Sequence, residues 1–469
     1  MSAIASEYEV AVVGAGPAGL AAASLCARAG LATVLFDDQP APGGQVYRGI
    51  TTTPLKNPAI LGPDYWSGMK LVEEFLASGA QYVPGAGVWS ITPGLELGVS
   101  VAGVAALTEA ASVILATGAI ERPFPVAGWT LPGVMTAGAA QALLKSSGLV
   151  PEGRIVLAGT GPLMWLVAWQ YLNAGVRIDA ILDTTPHENR SRALRHLPGF
   201  VVSTYLRRAM RILTAVRGRV PIVPGVTELR ADGAQRVESV TYRTADGLGR
   251  TLSVDTLLLH QGVAPNVNLA MSAGVEHRWD ARQLCWSPVV DRNGGTSAAG
   301  ILVAGDGAGI GGAQAAAWRG VLAAGAVVHA LRPERKLPVE KLARTALAQF
   351  MRGRAFLDAL YRPADAWRRP IGETIVCRCE AVSAREVIEA AALGCDGPNQ
   401  LKAFTRCGMG PCQGRSCGLT VTELIAQARG VDPQKVGYFR IRPPVKPITV
   451  AALAALPKSA AAERAVVRP

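Results

Sequence analysis

Apolar residues in the first forty positions form two continuous runs separated by a segment with helical spacing. The run Tyr8–Val13 is typical of a strand buried on both faces, and a second apolar run covers residues 32–37. Between them, residues 17–29 repeat apolar side chains at the spacing of a buried helix. The pattern predicts a strand, a helix and a parallel strand at the start of the chain.

Three glycines occupy the junction between this first strand and its helix. Gly14, Gly16 and Gly19 form the motif G-x-G-x-x-G, and Asp37 ends the second strand. The motif permits a tight turn, a close approach to a pyrophosphate and close packing of helix on strand, while the terminal acid can bind a ribose. A glycine turn without a ligand is the alternative, but strand, helix and acid all agree with a dinucleotide site.

The same type of pattern returns further along the chain. The predicted elements are a helix over 62–80, strands at 82–90 and 98–106, a buried strand ending at the Ala-Thr-Gly of 116–118, a second strand–turn–helix–strand unit over 153–183, and a strand ending at 305–306. The two units are a pair of related nucleotide folds and not a tandem repeat of short period.

Composition limits the class of protein but does not identify its chemistry. A chain of 469 residues is too long for one core, and 49% hydrophobic with 17% charged residues is typical of globular proteins. The net charge of +12 comes mainly from scattered arginines. The sequence has no module of aromatic and basic residues that would indicate nucleic-acid binding. The apolar run at residues 9–36 is interrupted by Gly-Ala-Gly-Pro and an Arg, so no transmembrane segment is predicted.

The N-terminus lacks the pattern of a signal peptide, so we expect a cytoplasmic protein. The arginine-rich helical segment 190–219 is expected to be a solvated amphipathic face, and docking of a partner or contact with the inner face of the membrane is the alternative. In the cytoplasm thiols stay reduced, so clustered cysteines are expected to be metal or redox ligands.

Five of the eight cysteines lie in a short part of the chain behind the nucleotide units, at positions 377, 379, 407, 412 and 417. Cys377 and Cys379 are two residues apart, which in extended backbone places both thiolates on one face. Glycines surround the last three cysteines and can bring backbone N–H groups close to sulfur. Four thiolates suffice for a [2Fe–2S] cluster, while a zinc site is the main alternative that spacing alone does not exclude.

Elements on both sides of the cysteines are also predicted. Ser383 and Glu386 form a capping box, so a helix starts there, and a further short helix is expected over 398–405. The other three cysteines, Cys26, Cys285 and Cys395, are isolated and are expected to be small core side chains.

The chain resembles the pyridine-nucleotide-disulfide type of flavoprotein. The resemblance rests on four motifs: GAGPAG near the start, the Ala-Thr-Gly of 116–118, the second glycine motif and the Gly-Asp at 305–306. The resemblance implies an α/β fold with two Rossmann-like dinucleotide-binding domains, the second inserted in the first, followed by a small helical [2Fe–2S] domain. It implies an FAD-binding domain at 1–150 and 288–330, a second NAD(P)-like domain at 151–287, a connector at 331–370, the cysteine domain at 371–430 and a tail at 431–469.

The same resemblance assigns residues to FAD. It places the ADP half at Gly14, Gly16, Gly19 and Asp37, and it places Gly44 and Gln45 near the ribityl and flavin region. Asp306 would bind the ribityl–pyrophosphate region, and the remaining residues expected to bind the cofactor are Thr117, Gly118 and Gly305.

The second unit departs from the family pattern. Met164 stands where the third small residue should be, so tight NADH binding is doubted, although Asp183 ends the following strand as a ribose-binding acid would. We expect a vestigial or repurposed fold, with a working nicotinamide site as the alternative. No C-x-x-C or C-x4-C follows either nucleotide strand, which disfavours a dithiol reductase.

The cysteine segment resembles the bacterioferritin-associated-ferredoxin-like domain. Its pattern C-x-C-x32-C-x4-C selects Cys377, Cys379, Cys412 and Cys417 as the ligands of a [2Fe–2S] cluster. Cys407 lies outside the pattern and is the substitute candidate for a ligand.

Three parts of the chain resemble a narrower group, the alpha (A) subunits of heteromeric flavoprotein dehydrogenases: the stretch 116–148, the motif GPDYW and the cysteine module. The group comprises subunits of opine oxidases, hydrogen cyanide synthase and D-hydroxyproline dehydrogenase. The resemblance implies a smaller partner similar to D-amino-acid oxidases that binds the substrate, and it allows for an FMN between the subunits.

The implied activity is oxidation of an amine to an imine with electrons passed to a respiratory acceptor. A stand-alone NAD(P)H-dependent reductase of an iron–sulfur carrier and a redox sensor are the alternatives. We assign no catalytic residue. His260 is the most interesting histidine, while Glu121 and Arg122 could face the flavin or the partner, or form a structural ion pair.

Overall fold

The computed structural model describes residues 4–335 and 338–457. Its strands are β1 (Glu7–Val13), β2 (Thr33–Asp37), β3 (Gln81–Pro84), β4 (Ala86–Ile91), β5 (Glu96–Val101), β6 (Val104–Leu115), β7 (Ala119–Glu121), β8 (Val134–Thr136), β9 (Ile155–Thr160), β10 (Ala180–Asp183), β11 (Ile222–Pro224), β12 (Val226–Asp232), β13 (Ser239–Thr244), β14 (Gly249–Ser253), β15 (Thr256–Gln261), β16 (Val263–Pro265), β17 (His277–Asp280), β18 (Cys285–Pro288), β19 (Ile301–Val303), β20 (Ile375–Cys377) and β21 (Val382–Ser383).

The helices of the same residues are α1 (Pro17–Arg28), α2 (Pro63–Trp66), α3 (Gly68–Leu76), α4 (Ala137–Ser147), α5 (Pro162–Asn173), α6 (His187–Leu194), α7 (Leu197–Val201), α8 (Thr204–Arg217), α9 (Asn268–Ser272), α10 (Ala313–Leu331), α11 (Val339–Met351), α12 (Arg354–Leu360), α13 (Asp365–Arg368), α14 (Ala384–Ala392), α15 (Pro398–Thr405), α16 (Gly418–Arg429), α17 (Pro433–Val436) and α18 (Val450–Ala454). A 3₁₀ turn covers Gly305–Ala308.

The first sheet has the order β3-β2-β1-β6-β5-β4, with β19 paired to β6. Strands β1, β2, β3 and β19 run parallel to their neighbours, whereas β4, β5 and the first half of β6 are antiparallel. The twelve-residue β6 therefore serves both parts: its end pairs with β1 and β19, and its beginning pairs with β5. This places the ends of β1, β2, β6 and β19 at one edge of the sheet.

Two predicted strands are each divided in the structure. The stretch 82–90 turns at Gly85, with φ +66°, so β3 joins the parallel part and β4 the antiparallel part. The stretch 98–106 turns at Ala102 and Gly103, both with positive φ, between β5 and β6. The predicted helix 62–80 is likewise divided into α2 and α3, which are separated by Ser67.

The second sheet is parallel throughout, with the order β11-β10-β9-β15-β8, and it lies in sequence between β6 and β19. The predicted α/β fold with one Rossmann-like unit inserted in another is confirmed. Strand β8 precedes residue 150 and yet pairs with β15, so the second sheet takes a strand from the stretch assigned to the first unit. Strands β7 and β16, which lie at the two crossings between the units, pair with each other.

The part of the chain that follows α10 packs on both units: the 331–370 stretch contacts the second unit, and the cysteine segment shares a core with the first sheet. The 331–370 stretch contains α11, α12 and α13, and the buried Arg368 of α13 forms an ion pair with the buried Glu423 of α16. The segment predicted to be a tail is folded over 431–457: Phe439 is 2% exposed, and the backbone N–H of Val445 donates to the carbonyl oxygen of Trp89. Residues 458–469 of that predicted tail lie outside the described residues.

No helix in residues 4–335 and 338–457 is both long and apolar enough to cross a bilayer.

Helices α1 and α10 cross at a point where only glycine fits. A Cβ atom on Gly320 of α10 would lie 2.1 Å from the carbonyl oxygen of Ala18 in α1. Gly325, five residues later in the same helix, has no atom within 4 Å of an added Cβ. Substitution of Gly320 therefore changes both the packing of the two helices and the helix propensity of α10, whereas substitution of Gly325 changes the helix propensity alone.

We predict that Gly320→Ala lowers the free energy of unfolding by about 1–3 kcal/mol, because the added methyl group must push the two helices apart. Gly325→Ala is the matched control and should be neutral or stabilising by up to about 1 kcal/mol. Thermal and urea unfolding of both variants measure the difference. Equal effects of the two substitutions would contradict the proposed crossing point.

Candidate functional site

The first glycine turn is held by contacts that exclude side chains. Gly14 has φ +104°, and a Cβ on it would lie 2.5 Å from the carbonyl oxygen of Ala116. A Cβ on Gly19 would lie 1.8 Å from the carbonyl oxygen of Gly14. The turn is thus pressed between β6 and α1, and the N-terminus of α1 with its free N–H groups opens at the carboxyl edge of the sheet.

Gly44 faces this turn from the loop after β2. Its φ is +59°, and an added Cβ would come within 2.7 Å of the Cα of Gly16. By contrast, Gly118 has open space around it within 4 Å. The hydroxyl of Thr117 donates to the carbonyl oxygen of Asn266 at 3.0 Å, which fixes the Ala-Thr-Gly loop against the start of α9. The loops around the turn leave a cleft lined by backbone.

Asp37 ends β2 with its side chain only 5% exposed. Burial raises its pKa to about 6, even though the backbone N–H groups of Gln39 and Ala15 and the hydroxyl of Tyr82 donate to the carboxylate. The Tyr82 hydroxyl lies 3.3 Å from Oδ2. The acid is therefore tied to the glycine turn through Ala15 and stands where a ribose would be bound.

The Gly305–Asp306 pair follows β19 at the same edge. Gly305 has φ +74°, and its added Cβ would lie 2.7 Å from the Cβ of Ala18. Oδ1 of Asp306 accepts the backbone N–H groups of Gly311 and Gly312 at 2.9 and 3.0 Å. This carboxylate shapes the loop that leads into the N-terminus of α10.

Gln45 lies in the same cleft but its side chain is occupied, since its amide oxygen accepts from the guanidinium of Arg48. Its backbone is held by a residue that the sequence analysis missed. The buried ammonium of Lys145 donates to the carbonyl oxygens of Gln45 and Val46, at 3.3 and 2.9 Å, and to Oε1 of Gln141 at 2.9 Å.

Burial lowers the pKa of Lys145 to about 7. A lysine and a glutamine four residues apart on the otherwise apolar face of α4 were the available signal in the sequence. Lys145 attaches the loop beside the cleft to α4, and Gln141 continues the network to Gln170 of α5.

The residues predicted for FAD are thus brought to one edge of the first sheet. A cradle of glycine backbone, an open helix N-terminus and a buried acid fit a dinucleotide, with the acid on the ribose and the backbone on the pyrophosphate.

The second glycine turn has a different environment. Met164 is fully buried in the core among the residues that pack α5 on β9, so the helix accommodates it. His260, 1% exposed, presents its ring to Gly161, whose added Cβ would lie 3.1 Å from Nε2. Nδ1 of His260 lies 2.6 Å from Oε1 of Glu121.

The second carboxylate oxygen of Glu121 accepts the N–H of Gly138 in the first turn of α4 at 2.9 Å. The two residues singled out separately in the sequence thus form one buried pair that connects β7, β15 and α4. Binding of a nicotinamide nucleotide at this turn remains a prediction.

The thiols form a cluster whose membership differs from the sequence pattern. The sulfurs of Cys377, Cys407 and Cys417 all lie within 4.8 Å of one another, and those of Cys407 and Cys417 are 4.0 Å apart. All three side chains are buried. Cys407, which the pattern placed outside the ligand set, is therefore one of the three buried members of the cluster.

Cys379 and Cys412 form the more exposed part of the cluster. The sulfur of Cys379 accepts the backbone N–H of Cys412 and lies in hydrogen-bonding contact with its thiol. Cys379 is exposed and Cys412 half-buried. The structure thus has three thiols in one buried group and Cys379 and Cys412 as a contacting pair, and the four-cysteine set predicted from spacing remains a prediction.

Hydrogen bonds within the cluster favour one thiolate. The thiols of Cys407 and Cys417 donate to the sulfur of Cys377 and lower its pKa, and the backbone N–H of Gly408 adds to this effect. The pKa values of Cys407 and Cys417 rise in turn, because their protons are held by Cys377. Cys417 also stands at the N-terminus of the twelve-residue α16, where the helix favours negative charge.

Two aromatic side chains from the folded tail cover the cysteine loop. Added Cβ atoms on Gly408 and Gly414 would lie 2.5 and 2.4 Å from the ring of Phe439, and one on Gly418 would lie 2.3 Å from the Tyr438 hydroxyl oxygen. The hydroxyl of Tyr438 donates to the carbonyl oxygen of Gly414 at 3.2 Å. The glycines are required because aromatic rings rest directly on the loop backbone.

The donor set fits a thiolate-bound metal centre of more than one kind. Three mutually close sulfurs suit a single tetrahedral zinc ion, in which sulfurs stand about 3.8 Å apart for a metal–sulfur distance of about 2.3 Å. Five thiols in an apolar, glycine-rich loop also supply the four ligands of a [2Fe–2S] cluster with one to spare.

A short connection joins the thiol cluster to the cleft. Nδ2 of Asn268 donates to the carbonyl oxygen of Gln413, the residue after Cys412, at 3.1 Å. Two residues earlier, Asn266 accepts the hydroxyl of Thr117, and its N–H donates to the carbonyl oxygen of Gly118 at 3.0 Å. A single turn of chain at the start of α9 therefore contacts both sites.

The fold and the cleft define a flavin-dependent oxidoreductase that carries an additional cluster of thiols. The chain matches the pyridine nucleotide-disulphide oxidoreductase family over residues 8–320 and the sarcosine oxidase A3 domain over residues 372–456. It is 48% identical to the A subunit of opine oxidase from Agrobacterium tumefaciens (98% of this chain, 94% of the relative) and 31% identical to the HcnB subunit of hydrogen cyanide synthase from Pseudomonas aeruginosa (94% and 97%).

Among solved structures, L-proline dehydrogenase from P. horikoshii has the same fold, with a TM-score of 0.71 at 21% identity over 95% of this chain and 79% of that one. The chain therefore belongs to the pyridine nucleotide-disulphide oxidoreductase family and, within it, to the group that contains the opine oxidase A subunits. The family expected from the sequence is confirmed, and the protein is an FAD-dependent oxidoreductase.

Asp37 gives a pH-dependent prediction. Its pKa of about 6 in the folded chain exceeds the value of about 3.9 in an unfolded chain, so the folded state binds more protons between these values. The stability of the flavin-depleted chain should therefore fall as the pH rises from about 4 to 6 and stay lower above it.

We predict that Asp37→Asn removes this loss and stabilises the flavin-depleted chain at pH 8 by about 2 kcal/mol, while the purified variant retains less FAD. Asp38→Asn, at an exposed position paired with Lys446, is the control and should change neither quantity appreciably. Thermal unfolding at pH 5 and pH 8 and the flavin absorbance measure both effects. Unchanged FAD content in Asp37→Asn would contradict the ribose assignment.

Proposed function

We propose that this chain is the electron-transferring subunit of a heteromeric amine or imino-acid dehydrogenase of the opine oxidase or D-hydroxyproline dehydrogenase type. It holds FAD at the first glycine turn and a [2Fe–2S] cluster in the thiol cluster, and it passes electrons from the flavin of a partner subunit to a respiratory acceptor. The partner resembles D-amino-acid oxidases, and a further FMN lies at the subunit interface.

The observation that carries the proposal is the connection of five thiols to the nucleotide cleft through the start of α9. Asn268 binds the cysteine loop, and Asn266 binds the Ala-Thr-Gly loop. A purely structural zinc site would not need to be attached to a redox cofactor. A thiol-ligated cluster that exchanges electrons with a flavin does, because transfer between cofactors depends on a fixed and short separation.

When bound, the flavin would supply the conversion between two-electron and one-electron chemistry, and the cluster would carry single electrons. The residues of this chain have supporting tasks. The glycine turn and Asp37 bind the adenosine and pyrophosphate, Lys145 fixes the loop at Gln45, and Thr117 fixes the loop at Asn266. Phe439 and Tyr438 pack on the backbone of the cysteine loop at Gly408, Gly414 and Gly418.

The relatives support a partner subunit. The names of the two relatives describe them as subunits of opine oxidase and hydrogen cyanide synthase. Among residues 4–335 and 338–457, the cysteines outside the cluster, Cys26, Cys285 and Cys395, are buried, so none is available as an exposed dithiol partner of the flavin. We propose a cytoplasmic location for the assembly.

Co-expression tests the function directly. The chain produced together with a partner subunit similar to D-amino-acid oxidases should reduce an artificial electron-accepting dye with opines or D-hydroxyproline, and the chain alone should not. Dye reduction by the isolated chain with these substrates would contradict the proposal. Rapid bleaching of the flavin by NADH would instead favour the NAD(P)H-dependent reductase.

We predict that Cys407→Ser lowers the iron content of the anaerobically purified chain by at least twofold, because its sulfur belongs to the buried cluster. Cys395→Ser is the matched control, since Cys395 is also buried but donates to the carbonyl oxygen of Gly397 outside the cluster. Iron analysis and the paramagnetic resonance spectrum of the reduced protein measure the outcome. Full iron content and an unchanged spectrum in Cys407→Ser would exclude Cys407 as a ligand.

A further inference from the structure

One surface of the second unit carries most of the excess charge of the protein. Residues 187–219, which form α6, α7 and α8, contain eight arginines and a single acidic residue, Glu188, while the whole chain has a net charge of +12. More than half of the net charge is therefore concentrated in 33 residues that follow one another on three short helices. We call this surface the arginine patch.

Most of these arginines have no acidic partner. Arg208 and Arg211 pair with Asp64 at 2.9 and 2.8 Å. Across residues 4–335 and 338–457, no carboxylate lies within ion-pairing distance of the other six, which are at positions 190, 192, 195, 207, 217 and 219 and are all exposed.

Exposed apolar side chains lie among these arginines. Leu194 is 60% exposed, Val201 51%, Val202 67% and Met210 59%, and Leu197 is also exposed. Leu197 and Val201 are four residues apart and share one face of α7. Single exposed apolar residues are ordinary, but a group of five within one arginine-rich stretch marks an interaction surface.

The same helices are firmly anchored on their other face, so the exposed side is not a loosely packed core. Asn189 is buried and donates to the carbonyl oxygens of Leu360 and Arg362 at 3.1 and 2.8 Å. Phe200 stacks on Phe356 with ring centroids 4.2 Å apart. In α8, Ile212 and Val216 are buried, and the opposite face carries Arg207, Met210 and Arg217. The patch is a rigid face with solvent-directed apolar and cationic side chains.

We propose that the arginine patch docks the protein on an anionic lipid surface. Cationic side chains around exposed leucine, valine and methionine are the combination found on helices that lie in the membrane interface, where apolar side chains enter the headgroup region and arginines bind lipid phosphates. The inference deepens the proposed delivery of electrons to a respiratory acceptor, since such acceptors are dissolved in or bound to membranes.

A protein partner fits the patch less well. The core of a protein interface is depleted in charge, and unpaired arginines buried there would need matched acids at several fixed positions. A lipid surface supplies mobile phosphates that adjust to any arrangement of arginines. The excess of one charge sign among the exposed side chains of this stretch is therefore better matched by anionic lipid.

The test is co-sedimentation of the full chain with vesicles, without substrate or electron acceptor. The protein should bind vesicles of phosphatidylcholine mixed with phosphatidylglycerol and should not bind phosphatidylcholine alone. Salt at about 0.5 M should release most of it, because the screening length falls to a few ångströms. Binding is measured independently of enzymatic activity, so failure here leaves the proposed function untouched, and loss of dye reduction leaves this test untouched.

Two variants and a control assign the binding to the patch. Arg192→Gln/Arg195→Gln/Arg207→Gln and Leu197→Ser/Val201→Ser/Val202→Ser should each weaken binding to the anionic vesicles at least tenfold. The control Arg236→Gln/Arg250→Gln/Arg278→Gln removes the same charge from exposed arginines outside the patch and should change binding less than threefold. All three should keep the thermal unfolding midpoint of the unaltered chain.

Equal binding to neutral and anionic vesicles, or equal weakening by the control, would overturn the proposal. So would patch variants that keep full vesicle binding but no longer co-purify with the partner subunit, since the patch would then be a subunit interface.

Discussion

The contact between the folded tail and the cysteine loop is the constraint on which the thiol cluster depends. The rings of Phe439 and Tyr438 lie so close to the backbone of Gly408, Gly414 and Gly418 that none of the three glycines can carry a side chain. This contact covers one side of the loop, and three sulfurs lie in one apolar core with residues of the first sheet. A thiol cluster in such surroundings is stable only if protons or a metal ion compensate its charge.

The same packing fixes the position of the thiol cluster relative to the nucleotide cleft. Apolar side chains of the strands that end at the cleft belong to the same hydrophobic core as the three buried cysteines of the cluster. The start of α9 contacts both the Ala-Thr-Gly loop and the cysteine loop through Asn266 and Asn268. The distance between the two sites is therefore set by packed secondary structure and not by a flexible linker, as electron transfer between bound cofactors requires.

The local features of the fold were predictable from sequence because each depends on neighbouring residues. The turn at Gly14, Gly16 and Gly19, the acid at Asp37 and the capping box at Ser383 follow from spacing alone, and the structure has the turn, the strand end and the box at those positions. The divided strands around Gly85 and Gly103 were missed because a turn with positive φ interrupts an apolar run without changing its pattern.

Contacts between distant residues could not be predicted in this way. Cys407 joins the cluster, and residues 431–457 cover it, through packing that no local pattern records. The pairing of Glu121 with His260 joins residues 139 positions apart. Lys145 was detectable in principle as a polar residue on an apolar helical stripe, but its acceptors lie on a loop about a hundred residues earlier.

The central claim is that the buried thiols bind iron. Metal and acid-labile sulfide analysis of the full chain, purified without exposure to oxygen and without a metal-affinity step, tests it most directly. The account predicts two iron and two sulfide ions per chain and a paramagnetic signal after reduction with dithionite. One zinc ion per chain in place of iron, or no metal at all in protein with intact flavin, would contradict it.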